Sequence, residues 1–298
     1  MRLNRSRKRG RTPFSITLLA VVLLSPAVAV ETQNAVFSAK VEMVRVDALV
    51  TERDNGPAIV GLGPSDFEVY DNGVLQHVDL VSFDEVPLNV ILTLDMSDSV
   101  AGDRLDHLRG AGAALLAALK KEDQAALVTF SQLVALGAGL TKDVAPVRRA
   151  IDEAAGSGDT ALVDGTYAAI TLGESDAGRA LVIVFSDGVD TASWLTADAV
   201  LDAARRSDAV VYAVSTRSRL EPAFLREVTS LTGGRLFEVE KTAALGAIFV
   251  GVLEEFRRRY LISFVPRGED KNGWHRLEVR LKGRRATIKA RPGYLAGM

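Results

Sequence analysis

The chain has 298 residues, 48% hydrophobic and 25% charged, a globular composition with room for about two domains, which excludes a disordered or fibrous chain. Its 36 basic residues nearly balance 38 acidic ones, but Arg2, Arg5, Arg7, Lys8, Arg9 and Arg11 precede residue 30, where no acidic residue stands; the rest carries 30 against 38, about −8, so neither a general nucleic-acid surface nor a nucleic-acid partner is expected. Cysteine is absent, which excludes disulfides, thiolate metal sites and cysteine nucleophiles.

Residues 2–11 are strongly basic, residues 14–24 form a largely apolar run, and Pro26 is followed by Ala27-Val28-Ala29, the small-x-small form read by signal peptidase. Residues 1–29 read as a signal peptide, and the mature chain as exported, periplasmic or extracellular. The run is shorter than the about 20 apolar residues of a membrane span, and no later segment qualifies, so no transmembrane span is expected after signal removal.

From 30 to 87 the pattern is short and strand-like: residues 41–50 mostly alternate, Asp54-Asn55-Gly56-Pro57 is a turn, and Phe67-Glu68-Val69-Tyr70 runs into Asp71-Asn72-Gly73. At residue 88 the period changes. Continuous apolar strands at 90–94, 125–130, 180–185, 210–214 and 236–239 alternate with helical spacing at 144–155, 163–172, 197–206, 222–231 and 243–258, after a first helix marked by Leu105, Leu108, Leu115 and Leu119. A short second strand is expected at 133–136. This alternation predicts an α/β fold, a doubly wound, mostly parallel sheet flanked by helices on both faces. From 259 to 298 the strand pattern returns. Neither β segment is long enough to bury a core alone, so 30–87 and 259–298 are expected to pair as a small β-sandwich into which the α/β domain, 88–258, is inserted.

The strand at 90–94 ends in Asp95-Met96-Ser97-Asp98-Ser99, at the carboxyl edge where open α/β sheets hold their ligands. Two further loops reach the same edge: Gly156-Ser157-Gly158-Asp159-Thr160 before a helix, and Ser186-Asp187-Gly188-Val189-Asp190 after a strand. Hydroxyl and carboxylate oxygens suit a hard divalent cation, Mg²⁺ first, with Mn²⁺ or Ca²⁺ as alternatives. The three histidines, His77, His107 and His275, stand too far apart in sequence for a zinc motif, and neither a phosphate-binding loop motif nor a serine-hydrolase elbow occurs, so no nucleotide is expected. Arg257-Arg258-Arg259 reads as a helix end complementing the dipole, and Gly110-Ala111-Gly112 as close helix packing.

Asp95-x-Ser97-x-Ser99, then Thr160 in Gly-x-Thr-Ala-Leu, then Asp187 in Ser-Asp-Gly, resembles the metal-ion-dependent adhesion site of a von Willebrand factor type A domain. The flanks, with Asp66-Phe67-Glu68-Val69 and the terminal Arg291-Pro292-Gly293-Tyr294, look like the exported bacterial proteins related to that family. The resemblance implies that Ser97 and Ser99 bind the metal directly, Thr160 directly or through water, and Asp95 and Asp187 mostly through water, leaving one position for an Asp or Glu of a protein partner. Asp98 stands where that family usually has glycine and is expected as a supporting carboxylate near the metal; Asp190 is expected either in the same supporting role or as a capping carboxylate. The function implied is a non-enzymatic, metal-dependent protein-binding module of adhesion type. The alternatives are a metal-assisted hydrolase and a structural envelope protein with a vestigial site.

Overall fold

The computed structural model describes residues 43–54, 56–216, 221–268, 270 and 272–297; the segment 1–29, expected from sequence to be a signal peptide, lies outside them. β1 (Val44–Thr51) is followed by β2 (Phe67–Asp71) and β3 (Val74–Gln76), joined by an Asn72-Gly73 turn whose two residues both have positive φ, and then by β4 (Val78–Phe83). The α/β region runs β5 (Leu88–Asp95), α1 (Asp103–Ala117), β6 (Gln124–Phe130), β7 (Val134–Thr141), α2 (Val144–Glu153), α3 (Leu162–Gly173) and β8 (Arg179–Ser186). It continues through α4 (Ala197–Arg206), β9 (Val210–Thr216), α5 (Ala223–Leu231), β10 (Leu236–Val239) and α6 (Leu245–Arg257). The chain closes with β11 (Tyr260–Phe264), β12 (Gly273–Leu281), β13 (Thr287–Lys289) and β14 (Gly293–Ala296).

The central sheet has six strands in the order β10-β9-β8-β5-β6-β7, parallel except for β7, which returns antiparallel beside β6. β5 and β8 are buried along their whole lengths, as strands covered on both faces must be, and they carry side chains into two separate cores. On one side Leu92, Leu94 and Ile183 pack with Leu115, Val147 and Phe249; on the other Ile91, Val182 and Val211 pack with Ile170, Val200 and Val228. Side chains hold two of the helix starts: the Asp143 carboxylate accepts from Ala145 N at 3.1 Å and the Thr196 hydroxyl from Ala199 N at 3.3 Å. Gly112 faces Ile151 so closely that a Cβ would lie 2.9 Å from its Cδ1, the tight helix packing expected of that glycine.

β7 departs from the sequence pattern. It runs to Thr141, well past 136, because Gly137, Ala138 and Gly139 keep extended backbone at the sheet edge while masking the apolar alternation. Its register with β6 is broken at two places, a bulged edge.

Strands from both ends of the chain interleave in two antiparallel sheets of four, β13-β1-β11-β4 and β14-β12-β2-β3. Val46 pairs with Ile262, Val69 with Val279 and Phe83 with Tyr260. The sheets share one apolar cluster, in which the Phe67 and Tyr260 rings meet edge-on at 5.4 Å.

Buried arginines tie this layer to the central sheet. Arg179 on β8 pairs with Asp47 on β1 and stacks over the Phe256 ring. Arg291, between β13 and β14, donates to the carbonyls of Arg205 and Ser207 at 2.7 Å each, satisfying the carboxyl end of α4. The triple-arginine segment stands at the end of α6 and also reaches inward: Arg257 pairs with the buried Asp123, and Arg259, fully buried, donates to the Tyr212 hydroxyl at 2.7 Å. Among the described residues no helix is long and apolar enough to cross a membrane.

Candidate metal centre

β5 delivers Asp95 to the carboxyl edge of the sheet, fully buried. Its Oδ1 accepts from Ser97 N at 2.9 Å and its Oδ2 from the Ser186 hydroxyl at 2.7 Å. Burial pushes the Asp95 carboxyl above the ordinary carboxylate range; the hydrogen bonds from Ser97 and Ser186 oppose that rise, and the charge of nearby Asp187 adds to it. Nearby positive charge would therefore favour the ionised form. Thr93, two residues earlier on the same face of β5, has a fully buried hydroxyl with no hydrogen-bond partner among the described residues.

After Asp95 the chain turns through a short 3-10 segment, Asp98–Val100, which sets the Ser97 and Ser99 hydroxyls 3.1 Å apart. Ser97 is buried and Ser99 exposed. Ser99 does not start a helix: α1 begins at Asp103 behind Gly102, whose φ of 63° and lack of a side chain make that entry possible. The exposed Asp98 binds the neighbouring loop twice, N to Gly158 O at 3.1 Å and Oδ1 to Gly158 N at 2.8 Å, while Ser157 N donates to Met96 O at 2.7 Å. The Asp95 and Thr160 loops are thus laced together.

On its other side the Thr160 loop is bonded to the loop after β8. Thr160 N donates to the Thr191 hydroxyl at 2.9 Å, and Thr191 N and Ala192 N donate to Thr160 O at 2.8 and 3.1 Å. Both backbone groups of Thr160 are thereby satisfied, while its hydroxyl has no hydrogen-bond partner among the described residues. Asp187, half-buried, accepts from Val189 N at 3.2 Å. Gly188 follows with φ of 87°, and a Cβ there would lie 2.5 Å from Pro222 Cβ, so the Ser-Asp-Gly turn admits only glycine.

The structure brings Asp95, Ser97, Ser99 and Asp187 together at the sheet edge and ties the loop of Thr160 to both neighbours. Asp190 is committed elsewhere: its carboxylate accepts from Val163 N, at the start of α3, and from the Ser193 hydroxyl. Asp164 does similar work in the opposite direction, accepting from Trp194 N and Leu195 N at 2.9 Å each. Sequence reasoning missed Ser186, Asp164, Thr191 and Ser193. Only Ser186 carried a signal, as the residue before Asp187 in a motif already noted.

The donor set consists of oxygens alone, three hydroxyls and two carboxylates, which suits a hard divalent cation. Among the described residues no three His, Asp or Glu side chains gather as a metal-ligating group, so a cation here would rest on hydroxyls as much as on carboxylates. The histidines are engaged elsewhere: His107 with Thr242, His275 with Asp71 and His77 near Asp79.

The profile of the von Willebrand factor type A domain matches residues 89–250, more than half of the chain. The protein belongs to this family, whose members act mostly as protein-interaction modules. Among solved structures, a von Willebrand factor type A protein from Catenulispora acidiphila superposes with a TM-score of 0.52 at 12% identity, over 85% of this chain and 73% of that one. Proximal thread matrix protein 1 of the mussel byssus, with a zinc-occupied metal-ion-dependent adhesion motif, gives 0.52 at 16% identity, over 64% of this chain and 50% of that one. An aerotolerance-related membrane protein from Bacteroides fragilis gives 0.48 at 15% identity, over 57% of this chain and 99% of that one. At these identities the likeness is one of fold. No curated protein matches by sequence.

Proposed function

We propose that the chain is an exported, non-enzymatic binding module that holds Mg²⁺ between Ser97, Ser99 and Thr160, with Asp95 and Asp187 acting mainly through bridging waters, and captures an Asp or Glu of a protein partner. The observation that carries this reading is the state of Asp95. Each of its oxygens already accepts one hydrogen bond, from Ser97 N and the Ser186 hydroxyl, which orients the carboxylate toward the loop and favours meeting a cation through water, beside the Ser97 and Ser99 hydroxyls. Neutral donors leave most of the ion's charge for an outside carboxylate, and that charge is what the ion supplies. Ser97 and Ser99 fix the donors on one loop, Thr160 offers a hydroxyl with no competing hydrogen bond, and Asp187 balances charge from a third loop. Asp98 and Asp190 hold the loops in place around the site.

The zinc in the mussel relative makes zinc the competitor to test. Titration calorimetry of the purified protein is expected to give binding of Mg²⁺ or Mn²⁺ that is lost in Ser99→Ala; tight zinc binding with no magnesium response overturns the assignment. Amino-terminal sequencing of protein recovered from the periplasm or medium is expected to begin at Val30. Metal-dependent turnover on esterase or phosphatase substrates would replace the binding reading by a hydrolytic one.

A further inference from the structure

Trp194 is 90% exposed, on the same loop that carries Asp187. Its backbone is not loose. Asp164 accepts from the N–H groups of both Trp194 and Leu195 at 2.9 Å, and Asp164 N donates to the Ser193 hydroxyl at 3.1 Å. Thr191 N, three residues earlier, is bonded to Thr160 O at 2.8 Å; three extended residues add at most about 11 Å, so the Trp194 backbone lies within about 14 Å of Thr160. An indole presented to water on a hydrogen-bonded loop loses little further backbone entropy when it is covered, and tryptophan is the residue most often found carrying binding energy at interfaces.

Charge around the site says what must accompany the carboxylate. Asp98 is exposed on the loop that carries Ser97 and Ser99, so an acidic ligand meets repulsion as well as the ion, and a second carboxylate would meet more. An apolar contact adds affinity that this repulsion does not reduce. The geometry points to Trp194 as a specificity-determining residue: the partner segment carries one acidic residue for the metal and, within about four positions of it, a large apolar side chain that covers the indole, four extended residues spanning about 14 Å. This inference rests on the metal-dependent reading above.

The test uses an array of heptapeptides, each with one aspartate at an end or centre in an alanine background and one alanine replaced in turn by leucine, phenylalanine, lysine or glutamate. The purified protein is probed with Mg²⁺ and with EDTA. Phenylalanine and leucine peptides are expected to bind about tenfold better than the alanine parent in Mg²⁺, and glutamate peptides worse. Trp194→Ala is expected to flatten that preference while leaving EDTA-sensitive recognition of the aspartate; Trp194→Phe keeps most of it. With Trp274→Phe as background, the remaining Trp194 fluorescence is expected to shift to the blue on peptide binding. EDTA-sensitive binding without apolar preference, or a preference that survives in Trp194→Ala, overturns this inference alone. Absence of EDTA-sensitive binding to every peptide overturns it together with the metal-dependent reading. Dimerisation in sedimentation that Trp194→Ala abolishes also overturns it, by making the indole a contact between two copies of the chain.

Discussion

Asp47 on β1 and Arg179 on β8, 132 residues apart, share a hydrogen bond of 2.8 Å between Oδ1 and Nε, with both side chains almost closed to water. Arg179 also reaches the Arg259 carbonyl at 3.3 Å, so one guanidinium gathers β1, β8 and the exit of α6. Asp47→Asn is expected to cost about 3 kcal/mol or more in urea unfolding, because it leaves a buried cation without its counter-charge. Replacing both residues, as Asp47→Leu with Arg179→Met, is expected to recover most of the loss. A single-variant cost below about 1 kcal/mol would show that the pair is dispensable.

Ser99 and Asp187 separate metal binding from folding. Ser99 caps no helix and is exposed, so Ser99→Ala is expected to change stability by less than about 0.5 kcal/mol. Asp187→Ala removes a charge that disfavours ionisation of Asp95 and is expected to leave the fold intact. Both are expected to weaken Mg²⁺ binding at least tenfold by calorimetry, with unchanged circular dichroism. Retention of wild-type affinity in the two folded variants would remove them from the site.

Asp190→Ala is expected to behave differently. Its carboxylate serves the amino end of α3, so the variant loses about 1 kcal/mol of stability and much less metal affinity than Asp187→Ala. Asp164→Ala frees two backbone N–H groups and is expected to loosen the loop after β8, seen as faster amide exchange at 191–195. Protection as strong as in the wild type would mean that Asp164 does not hold the loop.

The division at residues 88 and 258 predicts unequal fragments. β1 takes its partners from β11 and β13, and β2 pairs with β12, so residues 30–87 alone keep little beyond the β2–β3 hairpin. They are expected not to melt cooperatively, whereas 88–258 folds alone. A cooperative transition in the amino-terminal fragment would overturn the division.

Elements made of continuous apolar strands and amphipathic helices were legible because each depends on neighbours close in sequence, as at β5, β8 and α4. β7 was read too short because glycine and alanine carry no alternation. Arg257-Arg258-Arg259 could be read as a helix end, but not the burial of Arg259, whose guanidinium donates to the Tyr212 hydroxyl from a strand 47 residues away. Asp95, Ser97, Ser99, Thr160 and Asp187 could be picked out because their spacing is shared with a known family. Asp164, Thr191 and Ser193 could not, since their partners are set by how the loops meet.

The pairing of Phe83 with Tyr260 places the entrance and exit of the α/β region side by side, at the amino end of β5. The candidate metal edge lies at the other end of that strand, seven steps or about 23 Å away. A partner pulling on the metal edge would load β5 along its length, between the parallel ladders of β8 and β6, where many hydrogen bonds share the shear. The paired strands at the amino end of β5 would share that load.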